Sequence, residues 1–253
     1  MKFQAFLNRL DKLSQTIRSK RLLQALLCHR VLAGAEHRNV LMRDLGAVVD
    51  IGANRGQFAL AVRRWAPKAQ VVSFEPLTGP GDIFRRVFSG DDQVVLHHSA
   101  IGPASVVQKM HVSARDDSSS LLPISSVQTT IFPGTGEVAT TEVRVAPLDE
   151  FMSTKDFIMP AMLKLDVQGF ELDALMGCET LLTCFDWVYC ECSFIELYSG
   201  QKLACEVIDW LSARGFSLNG MFNPAYDHSG QAVQADFLFN RKVARGSAQK
   251  LLP

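Results

Sequence analysis

A chain of 253 residues and 28.0 kDa can bury a full core, and its size favours one catalytic domain with additions over two equal halves. Lysine plus arginine balance aspartate plus glutamate at 26 each, so charge supplies no general attraction to a polyanion and no nucleic-acid partner is expected. Six cysteines (Cys28, Cys178, Cys184, Cys190, Cys192, Cys205) form no C-x-x-C framework, which excludes a disulfide scaffold and suits a reducing cytoplasm. Cys190 and Cys192, two apart in a strand-like run, read as half-buried thiols rather than metal ligands.

The charge is unevenly placed. Residues 1–46 carry nine basic side chains against three acidic ones, so this segment stands at +6 and the remainder at −6. Phe3, Phe6, Leu7, Leu10, Leu13 and Ile17 recur at three- and four-residue intervals, which predicts a basic amphipathic helix inside a helical extension spanning 1–45. Packing against the chain's own domain is the favoured reading, and peripheral contact of residues 1–30 with an anionic membrane the alternative. The apolar run 22–28 is broken by Gln24 and is far shorter than the ~20 residues a bilayer span needs. No small-residue cleavage site follows an apolar core, so no secretory signal is read.

From Ala47 short β-branched runs alternate with helical stretches, the signature of a parallel sheet covered on both faces. The pattern predicts strands at 47–51, 70–75, 93–98, 161–166, 186–192, 216–219 and 235–240, with helices at 56–65, 79–88, 170–183 and 203–214. The expected fold is a doubly wound α/β domain over 46–241, its seven-stranded sheet mostly parallel. A polar stretch at 106–149, with a strand-like run at 141–145, interrupts the rhythm and reads as an insertion, a candidate lid or substrate loop. Residues 242–253 are polar and aperiodic, and a mobile tail is expected.

The run Val48-Val49-Asp50-Ile51-Gly52-Ala53-Asn54-Arg55-Gly56 leads from a strand through a glycine turn into a helix, the arrangement of a nucleotide loop. Gly52, Ala53, Asn54 and Gly56 make the turn, and glycine is expected there so that a ligand can approach the backbone. Only Gly52 and Gly56 of a G-x-G-x-x-G pattern are present. Asp50 at the base of the turn would repel a pyrophosphate but attract the sulfonium and ammonium of S-adenosylmethionine, so it points to that cofactor over a dinucleotide. Glu75, 25 positions further on at the end of the second strand, is placed to accept both ribose hydroxyls. Ala100 and Ile101 follow the third strand, where small residues leave room for adenine.

These segments resemble the FkbM-type family of class I S-adenosylmethionine-dependent methyltransferases. The likeness is carried by VVDIGANRGQF at 48–58, FEP at 74–76, LKLDVQGFELDALMGCETLL at 163–182 and VYCECSFIELYSGQ at 188–201. It implies a Rossmann-like domain that transfers a methyl group to a hydroxyl of a small molecule, typically a sugar or secondary metabolite. The chain departs from many members at Gln168, where they carry glutamate.

A hydroxyl is a weak nucleophile and benefits from a general base at a C-terminal strand end. Asp166, after the strand-like Leu163-Lys164-Leu165, is the first candidate; Lys164 would share its face and either pair with it or tune its charge. Glu191 on the next strand is the second, while Glu171 reads equally as a helix-start acid. Val167-Gln168-Gly169-Phe170 replaces the Asn/Asp-Pro-Pro-aromatic run of enzymes that methylate amines of nucleobases, which argues against such an acceptor. Ser118, Ser119 and Ser120 read either as hydrogen-bonding groups for a polyhydroxylated acceptor or as a solvated loop. His97, His98 and His111 suit no magnesium site, and no metal is assigned. The competing functions are a nucleotide-binding oxidoreductase, disfavoured by Asp50 and the missing glycine, and a scaffold that lost catalysis. The sequence carries no signal of oligomeric state.

Overall fold

Every position of Ala47–Ile51 is buried, as expected of a central strand rich in β-branched residues and covered on both faces. Alternate side chains enter two different cores. Ala47, Val49 and Ile51 pack with Leu163, Leu175 and Phe185 on one side, while Val48 packs with Val40, Leu60 and Met162 on the other. The computed structural model describes Thr16 and residues 19–242. The helix expected over 3–17 therefore lies outside the described residues except at Thr16, as does the expected tail beyond Lys242.

In chain order the elements are α1 (Lys20–His29), α2 (Arg38–Leu41), β1 (Ala47–Ile51), α3 (Gln57–Trp65), β2 (Gln70–Phe74), α4 (Thr78–Val87), β3 (Val94–His97), β4 (Ala100–Ile101), β5 (Val106–Ser113), α5 (Ser126–Ile131), β6 (Glu137–Ala146), β7 (Ala161–Leu165), α6 (Glu171–Gly177), β8 (Trp187–Ser193), α7 (Ala204–Ala213), β9 (Phe216–Tyr226) and β10 (Ala232–Arg241). The main sheet has seven strands in the order β3-β2-β1-β7-β8-β10-β9. All neighbours from β3 to β8 are parallel, and β10 runs antiparallel to both β8 and β9. This is the doubly wound, mostly parallel seven-stranded sheet the sequence predicts. The order reverses between β1 and β7, which creates a crevice outside their C-terminal ends.

The structure corrects several expectations. β9 and β10 run to Tyr226 and from Ala232, well beyond the expected 216–219 and 235–240. Asn219, Gly220, Asn223 and Pro224 read locally as turn residues, but long antiparallel pairing with shifts of register at three places absorbs them. Helix α6 stops at Gly177 and continues as a 3₁₀ segment, Glu179–Cys184, rather than as one helix to 183. Cys190 and Cys192 are fully buried rather than half-buried.

The insertion folds into a second sheet of order β4-β6-β5. Its Met110, Leu121, Val143 and Val145 enter the first core, so it is continuous with the domain. Ser118, Ser119 and Ser120 are buried, not solvated: Ser119 Oγ accepts from Ser113 N at 3.1 Å and Ser120 Oγ donates to the Gln168 carbonyl at 2.6 Å. Nor does packing stop at 45–46. Val31, Ala33, Val40, Leu41 and Leu45 are buried in the second core, and α1 adds Leu22 and Ala25. Arg21 of α1 and Arg63 of α3 both reach the Asp91 carboxylate, which ties the N-terminal helix to the domain.

Candidate active site

The crevice at the β1–β7 reversal holds a cavity of about 360 Å³, within the usual range for small-molecule sites. Its walls come from the turn after β1, the ends of β2 and β7, β4, the 116–121 segment and, unforeseen, residues 34–37. Of the residues singled out in sequence, Gly52, Ala53, Asn54, Glu75, Ala100, Ile101, Lys164 and Asp166 line it, whereas Asp50, Gly56 and Glu191 do not.

The protein's own packing also requires the two glycines. Gly52 has φ +79°, and a Cβ there would fall on the Asp166 carbonyl oxygen at the end of β7. Gly56 has φ +94°, and its Cβ would meet the rings of Phe88 and Phe84. Both positions thus exclude a side chain through the protein's own packing. The turn they make leaves the peptide of Asn54 pointing at Glu75: Asn54 N donates to Oε2 at 2.9 Å, and Leu77 N donates to Oε1 at 2.7 Å. Burial pushes the Glu75 carboxyl up to about 7 in spite of these two donors. Each oxygen keeps a second lone pair, so a vicinal diol is a suitable partner.

Asp50 and Lys164 are register partners on β1 and β7 and so share a sheet face. Lys164 Nζ stands 2.9 Å from Asp50 Oδ1, donates to the Gly52 carbonyl at 3.0 Å and lies 3.9 Å from Asp166 Oδ2. The expected Lys164–Asp166 pair is thus secondary to Lys164–Asp50. Burial disfavours the ammonium, but the two carboxylates outweigh it and hold its pKa above the ordinary lysine value. Asp50 is wholly inaccessible; burial raises its carboxyl, and Lys164 pulls it back. Its one charged partner among the described residues is Lys164.

Asp166 is 41% exposed at its side chain, and its Oδ1 accepts from Gln168 Nε2 at 2.7 Å. The same amide nitrogen donates to Glu191 Oε2 at 3.1 Å, and Gln234 Nε2 takes Glu191 Oε1 at 2.7 Å. A neutral amide at 168 therefore clamps two carboxylates that a glutamate there would repel. Burial, and then the charges of Asp166 and Asp236, raise Glu191 well above the usual carboxylate range. Glu171 is buried at the start of α6 and accepts from Val167 N and Gly169 N, both at 3.1 Å; burial places it at about 7. Its hydrogen bonds are those of a turn-closing, helix-start acid.

Sequence reasoning missed the wall formed by residues 34–37. His37 lines the cavity, edge-on to Phe58 at 5.1 Å between centroids, and Lys164 Nζ lies 5.5 Å over the same ring. Behind it, His37 Nδ1 is 2.9 Å from Tyr189 Oη, which donates to Asp236 Oδ2 at 2.8 Å. Asn223 Nδ2 donates to both, at 3.3 Å and 2.7 Å. These four residues come from the N-terminal segment, β8, β9 and β10, and no spacing in the chain links them. Asp116 and Asp117 also border the cavity, the former held by Arg55 at 2.6 Å and the latter by Arg115 at 3.0 Å.

Glu75, Asp116, Asp117 and Asp166 give the walls a predominantly acidic character against Lys164. Such a donor set suits a ligand with a ribose-like diol and a positive charge, and is a poor seat for a pyrophosphate.

The family model described as the Methyltransferase FkbM domain matches residues 50–218. The 2-O-methyltransferase NoeI of Sinorhizobium fredii (strain NBRC 101917 / NGR234) is 29% identical over 175 residues, covering 65% of this chain and 70% of that protein. Among solved structures, precorrin-6y C5,15-methyltransferase from Geobacter metallireducens GS-15 aligns over 85% of this chain and 91% of its own, with TM-score 0.47 and 10% identity. An rRNA methylase from Streptococcus thermophilus aligns over 81% and 94%, with TM-score 0.46 and 11% identity.

Proposed function

The chain belongs to the FkbM methyltransferase family, and on that footing we propose that it transfers the methyl group of S-adenosylmethionine to a hydroxyl of a small molecule, a sugar or a secondary metabolite. The observation that carries this reading is the acid-walled cavity at the β1–β7 reversal, with Glu75 at one end and Asp166 at the other. The likeness to a protein named as a 2-O-methyltransferase supports oxygen as the acceptor atom.

In this reading Glu75 accepts the ribose hydroxyls, Ala100 and Ile101 leave space for adenine, and the turn Gly52-Ala53-Asn54 supports the remainder from below. Gly56 acts one step removed, by letting α3 start close against Phe84 and Phe88. When bound, the cofactor supplies a methyl group already activated by its positive sulfur. The chain's own work is then alignment and proton removal, and alignment can supply much of the barrier reduction. Asp166, held in place by the Gln168 amide and facing Lys164, anchors the acceptor through a hydroxyl. Lys164 fixes the Gly52 carbonyl and with it the turn under the cofactor. Phe58 and Phe170 wall the cavity and exclude water.

The reducing setting implied by six cysteines, none of them in a disulfide, supports a cytoplasmic enzyme. Among the described residues no helix is long and apolar enough to cross a membrane. Calorimetric titration of the purified chain with S-adenosylmethionine, S-adenosylhomocysteine and NAD tests the cofactor, and labelled methyl transfer to a panel of methyl glycosides tests the acceptor. Binding of the first two without the third, followed by transfer to a glycoside, is the expected result; NAD binding alone would sink the reading.

A further inference from the structure

We propose that His37 is the general base of the transfer reaction, its Nε2 accepting the proton of the acceptor hydroxyl, with Tyr189 and Asp236 as positioning residues behind it. This rests on the methyltransferase reading and adds a residue that lies outside the matched span, since His37 and Asp236 both fall beyond residues 50–218.

The argument is one of proton placement. Tyr189 Oη donates to Asp236, so its oxygen is left to accept; Asn223 Nδ2 donates to it, and His37 Nδ1 lies 2.9 Å away. His37 Nδ1 must then carry the hydrogen. Nε2 is the bare nitrogen, and it has no hydrogen-bond partner among the described residues, on a ring that lines the cavity. An acid that fixes the tautomer of a histidine through its far nitrogen is the logic of a relay, here lengthened by one tyrosine. Tyr189 stays protonated for this purpose, because burial and the Asp236 charge push its hydroxyl up.

The charged groups facing His37 are Asp236 behind it, Glu36 on its own segment, and Lys164 and Asp166 at the end of β7. Burial lowers its pKa below 6.5, with the three carboxylates pulling it back and Lys164 adding to the burial effect. The imidazole is accordingly neutral at pH 7 and available as a base. During transfer the acceptor oxygen forms its bond to the methyl carbon, the carbon–sulfur electron pair returns to sulfur, and the hydroxyl proton passes to Nε2. The resulting imidazolium is stabilised through Tyr189 by Asp236, while Asp166 holds a neighbouring hydroxyl of the acceptor.

The full chain serves for the test, with two readouts. In ¹⁵N-labelled protein, imidazole correlation spectra are expected to give the Nδ1–H tautomer with a midpoint below 6.5. Asp236→Asn should move that midpoint lower, because Asp236 is the strongest of the charges favouring the imidazolium. An Nε2–H tautomer, or a midpoint that ignores Asp236→Asn, overturns the proposal. His37→Gln is expected to bind S-adenosylhomocysteine like the wild type and to lose about 10²- to 10⁴-fold in kcat for methyl glycosides, with the acidic limb of the pH–rate profile gone. Turnover within about threefold of wild type with that limb intact overturns the role of His37 and leaves the methyltransferase reading standing. Failure of the wild type itself to methylate any glycoside would instead count against the sugar acceptor, and the tautomer measurement then decides the base alone.

Discussion

At the scale of single residues, the Asp50–Lys164 pair is the most consequential feature of the site. Both members are almost inaccessible, so removing one strands the other's charge away from water. Asp50→Ala is expected to lower stability by about 3–5 kcal/mol in urea denaturation, before any effect on ligand affinity is considered. A stable variant that merely binds S-adenosylhomocysteine less well would mean that Asp50 faces the ligand after all. Glu75 provides a pH signature. Its folded carboxyl sits at about 7 against an ordinary value of 4.5, so the folded state holds the proton more tightly. Its contribution to stability is full below about pH 4.5 and is lost as pH rises through about 7, a difference of about 3 kcal/mol. Glu171, also at about 7, acts in the same sense. Ribose hydroxyls favour the ionised carboxylate, so S-adenosylhomocysteine should bind more tightly as pH rises from 5 to 7, by up to about tenfold per unit. Glu75→Gln should flatten that dependence, and an unchanged slope in calorimetric titrations would exclude Glu75 as its source.

At the scale of elements, the insertion and the β7 turn hold one another. Tyr198 Oη lies 2.8 Å from Gln168 Oε1 and 3.1 Å from the Ser118 carbonyl, and Ser120 Oγ reaches the Gln168 carbonyl. Gln168 has φ 55°, an unusual conformation for a side chain of its size, and these contacts keep it there. Tyr198→Phe is expected to cost about 1 kcal/mol and to speed amide exchange over 116–120 without altering exchange in β1 or β7. Uniform protection across the variant would show that the clasp contributes nothing. Nothing in the sequence announced this clasp. Aspartates and serines in a row have the composition of a surface loop, and only their neighbours in space make them interior groups.

For the whole molecule, the boundary between an extension and a domain disappears. Residues 31–45 bury five apolar side chains in the second core and carry His37 to the cavity wall. Each of the four Val and Leu side chains contributes about 1.5–3 kcal/mol, so losing the set removes a large part of a typical domain's stability. Deletion of residues 1–45 is expected to abolish the cooperative thermal transition seen by circular dichroism. A truncated chain that melts cooperatively and binds S-adenosylhomocysteine would restore the view of that segment as an appendage.

What the sequence determined by itself was whatever local periodicity and covalent neighbourhood can encode. Strand β1 was read to the residue, β2, β3, β7 and β8 to within one position at either end, and the glycine turn and Glu75 were recognised because strand, turn and acid follow one another along the chain. The tertiary structure alone decided which carboxylates face the cavity, because burial is a property of what packs over a residue. Asp50, read as a cofactor-binding residue, is covered, and Glu191, read as a catalytic one, stays off the cavity wall, while His37 and Asp236 are brought together from opposite ends of the chain. Side-chain alternation fixes a face but not its covering, and a hydrogen-bond chain that joins four separate elements leaves no period in the sequence to find.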